Sequence, residues 1–178
     1  DFYRFVLNKG TGQSAILTVN SSSTVNFRLF GPSNLLSIGT DPNEYSSNAL
    51  SIQTGTLQLT GSIDIPILVL NSGGGNDFFS IPQVGALWLN GAGVTIRVAN
   101  DVTSNDDQRL ILNGLLRVTD GVLIGGNSSG IVSDNNGSYF QEGGTVHCWQ
   151  FRPRGSGSGT FAFKMTGGTL NVGYGPFN

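Results

Sequence analysis

A short phrase of sequence returns at a nearly fixed interval in the second half of this 178-residue chain. Leu87–Gly91 (LWLNG) is echoed by Leu110–Gly114 (LILNG). A second phrase begins at Asp120–Leu123 (DGVL) and recurs at Glu142–Val146 (EGGTV) and at Thr166–Leu170 (TGGTL). Self-similarity at a fixed period, here about 23–24 residues, is typical of stacked-repeat architectures, in which each repeat buries its apolar residues only against its neighbours.

The segments inside each repeat have the pattern of short β-strands. Apolar and polar residues alternate strictly, as in Leu57–Leu59 and Leu170–Val172, and no segment has a sustained helical period. Gly, Asn and Ser separate these segments, and about three of them fit in one repeat. The pattern predicts an all-β, single-stranded parallel β-helix of about seven coils, with about 23–24 residues per coil in the C-terminal half. An antiparallel β-sandwich or jelly roll, in which Asn-Gly forms hairpin tips, is the alternative.

The repeat also assigns a facing to each side chain, if the phrases stack in register. Asn90, Asn113 and Asn136, each followed by Gly, are then expected at one corner of successive coils, because Asn and Gly tolerate the backbone of a tight turn. Alternation places the following residues inside: Val146, Cys148, Phe161, Phe163, Met165, Leu170 and Val172. It turns the following residues outward: His147, Trp149, Phe151 and Lys164.

The chain divides into two parts at about residue 48. Residues 1–48 are the least regular and are predicted to form irregular β-type N-terminal coils or a cap. Residues 49–178 carry the repeats and are expected to continue into a longer chain, because the repeat still recurs close to the last residue.

The repeat phrases resemble those of a known class. Leu110–Gly114, Gly144–Val146 and Gly168–Gly173 are similar to the degenerate repeats of right-handed parallel β-helix (β-solenoid) domains in large secreted bacterial surface proteins, including autotransporter-like adhesins and the long surface proteins of gliding bacteria. The resemblance covers about half of the chain and implies a right-handed coil and an extracellular, cell-surface location. It implies no particular activity.

Composition narrows the classes of partner. Charged residues make up 11% of the chain and the formal net charge is -2, so no basic surface for nucleic acid is expected. The longest apolar run, Ile65–Leu70, is too short to span a bilayer, so no membrane insertion is expected. With one cysteine and one histidine, an internal disulfide is impossible and a metal site or other cofactor is not expected. Alternation also turns His147 and Cys148 to opposite faces of one strand, which opposes a catalytic pair.

Polysaccharide cleavage is the enzymatic alternative, because a polar cluster offers carboxylates beside a basic residue. The cluster consists of Asp101, Asp106, Asp107 and Arg109. The pair Asp106-Asp107 resembles the adjacent aspartates of polygalacturonases, although the flanking residues do not reproduce that family's wider pattern. Asp and Asn residues that cap turns in a polar loop are the simpler interpretation.

Trp149, Phe151, Arg152 and Arg154 form the most distinctive local cluster. Outward aromatic rings on a rigid sheet stack on the apolar faces of sugars, and Arg bridges hydroxyl or carboxylate groups, so this cluster is a candidate glycan platform. Burial of the two rings under the following Gly/Ser-rich loop is the alternative.

These observations together predict a structural or adhesive segment of an extracellular surface or filament protein, acting as a rigid stalk or display scaffold without catalysis. A glycan-binding module or a polysaccharide-degrading β-helix enzyme is the alternative. The expected partners are flanking domains of the same chain, or self-association through exposed ends of the solenoid, where open sheet edges invite another strand; a glycan is a further candidate partner.

Overall fold

The chain folds into parallel β-strands, as seen in a computed structural model that describes residues 5–22, 27–28, 50–66, 78–98, 109–125, 130–133, 136–153 and 160–173. Sixteen strands lie in these ranges. The first eight are β1 (Phe5–Asn8), β2 (Ile16–Ser21), β3 (Phe27–Arg28), β4 (Leu50–Pro66), β5 (Phe78–Ile81), β6 (Gly85–Leu89), β7 (Gly93–Arg97) and β8 (Arg109–Leu112). The others are β9 (Leu115–Val118), β10 (Val122–Ile124), β11 (Gly130–Ser133), β12 (Ser138–Gln141), β13 (Thr145–Cys148), β14 (Phe151–Pro153), β15 (Ala162–Met165) and β16 (Thr169–Val172).

Three parallel ladders run through the described residues. The first ladder joins β2, β4, β6, β9, β12 and β15, and the second joins β3, β4, β7, β10, β13 and β16. The third joins β5, β8, β11 and β14. Every pairing between described strands is parallel, so these strands do not form the antiparallel sandwich that the sequence left open. The described residues contain no helix of the length and apolarity that crossing a membrane requires.

Strand β4 is long and bent, and it belongs to two ladders. Its middle pairs with β2 and β6, and its C-terminal part pairs with β3 and β7. The bends coincide with Gly55 (φ +86°) and Gly61 (φ +77°), which take a left-handed backbone that other residues adopt at a cost. Because β4 is shared, the first two ladders form one twelve-stranded sheet together with β1, which pairs with the N-terminal part of β4, and this sheet curls into a half-barrel.

The corner between the first and second ladders repeats in the way that the sequence predicts. Val122, Thr145 and Thr169 are in register across β10, β13 and β16, at the steps that the second phrase predicts. Gly144 and Gly168, at the corner before them, both have positive φ. A Cβ on Gly168 would lie 2.4 Å from the carbonyl oxygen of Gly143, so the close stacking of these turns requires glycine.

The predicted stacking of three Asn-Gly corners is wrong for the first of them. Asn90 follows β6 at the corner between the first and second ladders, where Thr119 donates a hydrogen bond to its Oδ1 over 2.6 Å. Asn113 and Asn136 instead lie between the third and first ladders. Leu87 therefore pairs with Leu116 rather than with its sequence counterpart Leu110, because the longer segment before β8 displaces the repeat.

Side chains that face inward form buried rows, one residue per strand. The leucine row consists of Leu57, Leu87, Leu116, Tyr139 and Phe163. The glutamine row consists of Leu59, Leu89, Val118, Gln141 and Met165. In each row the first four residues are at most 1% exposed, so alternation along each strand and stacking between strands together make the core.

Strands β1, β2 and β3, which fall in the predicted N-terminal part, pair with β4 in parallel. The rest of the region 23–49 lies outside the described residues, and the boundary at residue 48 stays a prediction.

Candidate functional site

The candidate catalytic cluster falls mostly outside the described residues. Asp101, Asp106 and Asp107 lie in the undescribed stretch 99–108. Arg109 begins β8, where its backbone is in register with Phe78 and Gly130. The convergence of these groups thus stays a prediction. Among the residues that the structure does describe, no three His, Cys, Asp or Glu side chains come together as a metal site requires.

His147 and Cys148 point to opposite faces of β13, as alternation predicts. Cys148 is fully buried, and burial raises the pKa of its thiol to about 11. His147 is half-buried on the outer face, and its Nδ1 lies 3.1 Å from the side-chain nitrogen of Asn171 on β16. Burial lowers the pKa of the imidazole. A buried protonated thiol is a poor nucleophile and the two groups do not meet, so they form no catalytic dyad.

The three described residues of the proposed glycan platform do not form one surface in the structure. Trp149 is half-buried at the turn after β13, and Arg152 is exposed on β14 in the third ladder. The ring of Phe151 packs against the core, with its centroid 4.9 Å from that of Tyr139 and 5.4 Å from that of Phe163.

The outward placement of Phe151 is therefore wrong. The chain turns between β13 and β14, so the alternation of β13 does not continue through Gln150, and Phe151 takes the same inward register as Ile131. A role of Trp149 and Arg152 toward a glycan stays a prediction.

The described outer face carries a line of planar and charged side chains that the sequence analysis did not single out. This outer row follows the first ladder from β4 to β15, one side chain per strand, and consists of Gln58, Trp88, Arg117, Phe140 and Lys164. Neighbouring members are separated by about 4.8 Å, the spacing of paired strands. The row therefore extends along the stacking direction rather than around it.

Arg117 is the centre of the contacts in the outer row. Its guanidinium carbon lies 4.3 Å from the centroid of the Trp88 ring, and its Nε donates a hydrogen bond to Glu142 Oε2 over 2.7 Å. The hydrogen bond from Arg117 lowers the pKa of the Glu142 carboxyl below its ordinary value. Trp88 in turn donates its indole N–H to Thr119 over 3.0 Å. These contacts link the neighbouring strands β6, β9 and β12 on their outer side.

The side chains of the outer row are of the types that recognise a ligand through stacking and hydrogen bonds. Aromatic rings and planar hydrogen-bonding groups in a line match the apolar faces and hydroxyls of an extended sugar chain. One face of Trp88 is, however, covered by Arg117, so part of the row stabilises the sheet itself. The signal for this row was present in the alternation Leu87-Trp88-Leu89, but the longer step to Leu116 concealed its register.

Comparison with protein-family models gives no match, and comparisons with curated proteins and with solved structures give none either.

Proposed function

We propose that this chain is a structural segment of an extracellular surface or filament protein, and that it acts as a rigid stalk or display scaffold without catalysis. In this proposal the parallel ladders are the faces of a single-stranded, right-handed parallel β-helix. The supporting observation is the order of the strands. From β6 to β16 the chain visits the first, second and third ladders in strict rotation, and each visit stacks on the one before.

A column of this kind is suited to holding other parts of a protein at a fixed distance. Its stability comes from rows of buried side chains that repeat along the axis, such as the leucine row, so each added coil lengthens the column without a new core design. The backbone hydrogen bonds of the ladders run along the same axis, so bending the column requires many of them to lengthen together.

Rigidity is testable by a distance measurement along the outer face of the first ladder. Thr18 and Lys164 are exposed and lie in register five strand steps apart, which corresponds to about 24 Å. Nitroxide labels at Thr18→Cys and Lys164→Cys, in a Cys148→Ala background and diluted into an excess of unlabelled chain so that only distances within one chain contribute, should give one narrow distance distribution by pulsed electron paramagnetic resonance. A broad or bimodal distribution would contradict a rigid column.

The absence of catalysis is tested by a screen of neutral and acidic polysaccharides for depolymerisation and for saturable binding. The scaffold proposal predicts no turnover of any of them. Release of reducing ends that depends on Asp106 and Asp107, and disappears in the Asp106→Asn/Asp107→Asn variant, would replace the scaffold with an enzyme.

A glycan-binding module is the second candidate, and the outer row is the observation that favours it. The module predicts retardation of the protein in gels that contain the polysaccharide it recognises. Trp88→Ala or Phe140→Ala should abolish the retardation if the outer row binds, whereas Trp149→Ala should abolish it if the turn after β13 binds. Ile124→Ala, an outward residue of the second ladder, is the matched control.

A further inference from the structure

The end of the fold formed by β15 and β16 leaves inward-facing apolar side chains uncovered. Phe163 is 49% exposed, although its in-register neighbour Tyr139 is 0% exposed. On β16, Val172 is 54% exposed beside a fully buried Cys148. Met165, the last residue of the glutamine row, is 39% exposed. The rows are thus continuous up to this end and then stop without a covering layer in the described part of the chain.

The side chains at this end are exposed although they still point toward the core. The ring of Phe163 stacks on Tyr139 with a centroid separation of 5.3 Å and an angle of 15° between ring planes, and it meets Phe151 edge-on. Phe163 therefore holds its position in the leucine row, with one side packed and the other open. Large exposed apolar groups that remain in core register are typical of an interaction surface rather than of scattered surface residues.

In the described part of the chain, β15 and β16 also have backbone N–H and C=O groups that are available for pairing with another strand. β15 pairs with β12, and β16 pairs with β13, but no described strand pairs with the other edge of either. A row of free N–H and C=O groups beside an apolar row selects a partner that supplies a strand with alternating apolar side chains.

Strand β2, at the opposite end of the first ladder, is a strand with alternating apolar side chains of this kind. β2 runs parallel to β15 through the first ladder, and its Leu17 and Val19 face inward and are only partly buried. Leu17 is in register with Leu57, the first residue of the leucine row, and Val19 is in register with Leu59, the first residue of the glutamine row. A second copy displaced along the axis would therefore bring Leu17 next to Phe163.

We propose that this chain associates head to tail, with β15 and β16 of one copy pairing in parallel with β2 and β3 of the next. The contact continues a type of interface that already joins every pair of stacked strands in the molecule. A two-fold contact between like ends would reverse the strand direction and could not set each ladder against its own counterpart. Since a head-to-tail contact uses two different surfaces, it does not close and it generates a filament. The inference rests on the proposed scaffold function and specifies the partner of its ends.

Sedimentation velocity over a range of concentrations tests the contact. The unmodified chain should form species that grow beyond the dimer as concentration rises. Phe163→Lys should abolish this growth, because it places a charge in the apolar row at the end. Val172→Lys, at a more exposed position, should do the same if Phe163→Lys unfolds. Lys164→Ser, on the outer side of the same strand, should leave the growth unchanged.

A mixing experiment separates the two symmetries. Leu17→Lys blocks the β2 end and leaves the β15 end intact, whereas Phe163→Lys does the reverse. Each variant alone should be a monomer with the circular dichroism spectrum of the unmodified chain, and Leu17→Ser replaces Leu17→Lys if the latter unfolds. An equimolar mixture of the two should form a dimer and nothing larger, because it contains only one intact pair of ends.

Three results would overturn the proposal. Dimerisation of Leu17→Lys alone would show a two-fold contact between β15 ends, and persistent growth in both variants would show that another surface is responsible. An unmodified chain that stays monomeric at every concentration would eliminate the contact altogether. None of these results affects the distance between residues 18 and 164 within one chain. The rigid-column proposal and the head-to-tail proposal are therefore tested independently.

Discussion

The middle of the parallel ladders and their β15–β16 end have the same sequence pattern and very different surroundings. In β9 and β12, Leu116 and Tyr139 are completely buried, because a strand lies on each side of them. In β15, Phe163 follows the same alternation in the same row, and half of its surface is exposed. Alternation thus determines which way a side chain faces, whereas burial depends on a further layer.

The difference also separates two kinds of stabilisation. Hydrophobic stabilisation is proportional to the apolar area that is removed from water, so it is large in the middle and reduced at the end. The cost of a strained backbone is local and is the same wherever the turn lies. Substitutions matched between the two regions distinguish these contributions.

The largest effect is expected for truncation in the leucine row. Leu116→Ala should lower the free energy of unfolding by about 2–5 kcal/mol, because it leaves a cavity in the buried row between β6 and β12. Phe163→Ala should cost less than Leu116→Ala although it removes a larger side chain, since one side of the ring is already in water. Urea denaturation at low protein concentration measures both. An equal or larger loss for Phe163→Ala would mean that the end is covered.

The next effect concerns the one polar member of the buried glutamine row. Gln141 accepts a 2.6 Å hydrogen bond from the Tyr139 hydroxyl and donates from Nε2 to backbone carbonyls, including that of Thr169 over 3.0 Å. Gln141→Ala should destabilise the fold by about 1–3 kcal/mol, because these buried groups lose their partner.

A control and a second variant make the Gln141 prediction specific. Gln58→Ala, on the outer row, should change the stability by less than about 0.5 kcal/mol. Adding Tyr139→Phe to Gln141→Ala should recover part of the loss, since the orphaned hydroxyl is then absent. Additive losses in the double variant would show that the hydrogen bond contributes little.

Glycine corners should show no difference between the two regions. A Cβ on Gly121 would lie 2.7 Å from the carbonyl oxygen of Val94, and one on Gly168 would lie 2.4 Å from that of Gly143; both have positive φ. Gly121→Ala and Gly168→Ala should each cost about 1–3 kcal/mol in thermal or urea unfolding. Gly12→Ala, where no atom lies within 4 Å of the added carbon, is the control. A much smaller cost at Gly168 would indicate a turn that relaxes at the end.

The smallest effects are expected on the outer row. Arg117→Met removes the cation–π contact with Trp88 and should cost about 0.5–1 kcal/mol. The partner Glu142 has a lowered pKa in the folded protein, so its contribution is present above the unfolded-state pKa and is lost as pH falls through the folded-state pKa. Glu142→Gln should therefore be slightly less stable than the unmodified chain at pH 7 and equally stable at pH 2. A difference that persists at pH 2 would exclude the carboxylate as its cause.

Particular residues show how far the sequence could lead. The second phrase gave the right register for Val122, Thr145 and Thr169, because the corner before them requires a left-handed glycine and so repeats in sequence. The first phrase misled, because Asn-Gly suits any tight corner. Asn90 and Asn113 therefore look equivalent in sequence and lie at different corners.

The candidate sites also include features that the sequence predicted and features that it did not. Facing was predictable within one strand, so the assignment of Cys148 inward and His147 outward was correct. It failed across a turn, where Phe151 joins the core. The contact of Trp88 with Arg117 was not predictable, because the two residues are joined only by the pairing of β6 with β9.

By itself, the sequence determined that the chain makes short strands with an apolar and a polar face, since backbone geometry sends successive side chains to opposite sides. It also determined where tight corners occur, since only glycine takes some of them without strain. The tertiary structure alone decided which strands are neighbours, how deeply each apolar row is buried and where the rows end uncovered. These properties depend on pairings between strands that are distant in sequence, such as those of Val122 with Thr145 and of Leu57 with Leu87. Segments of variable length between the strands shift those pairings without changing the pattern inside any strand.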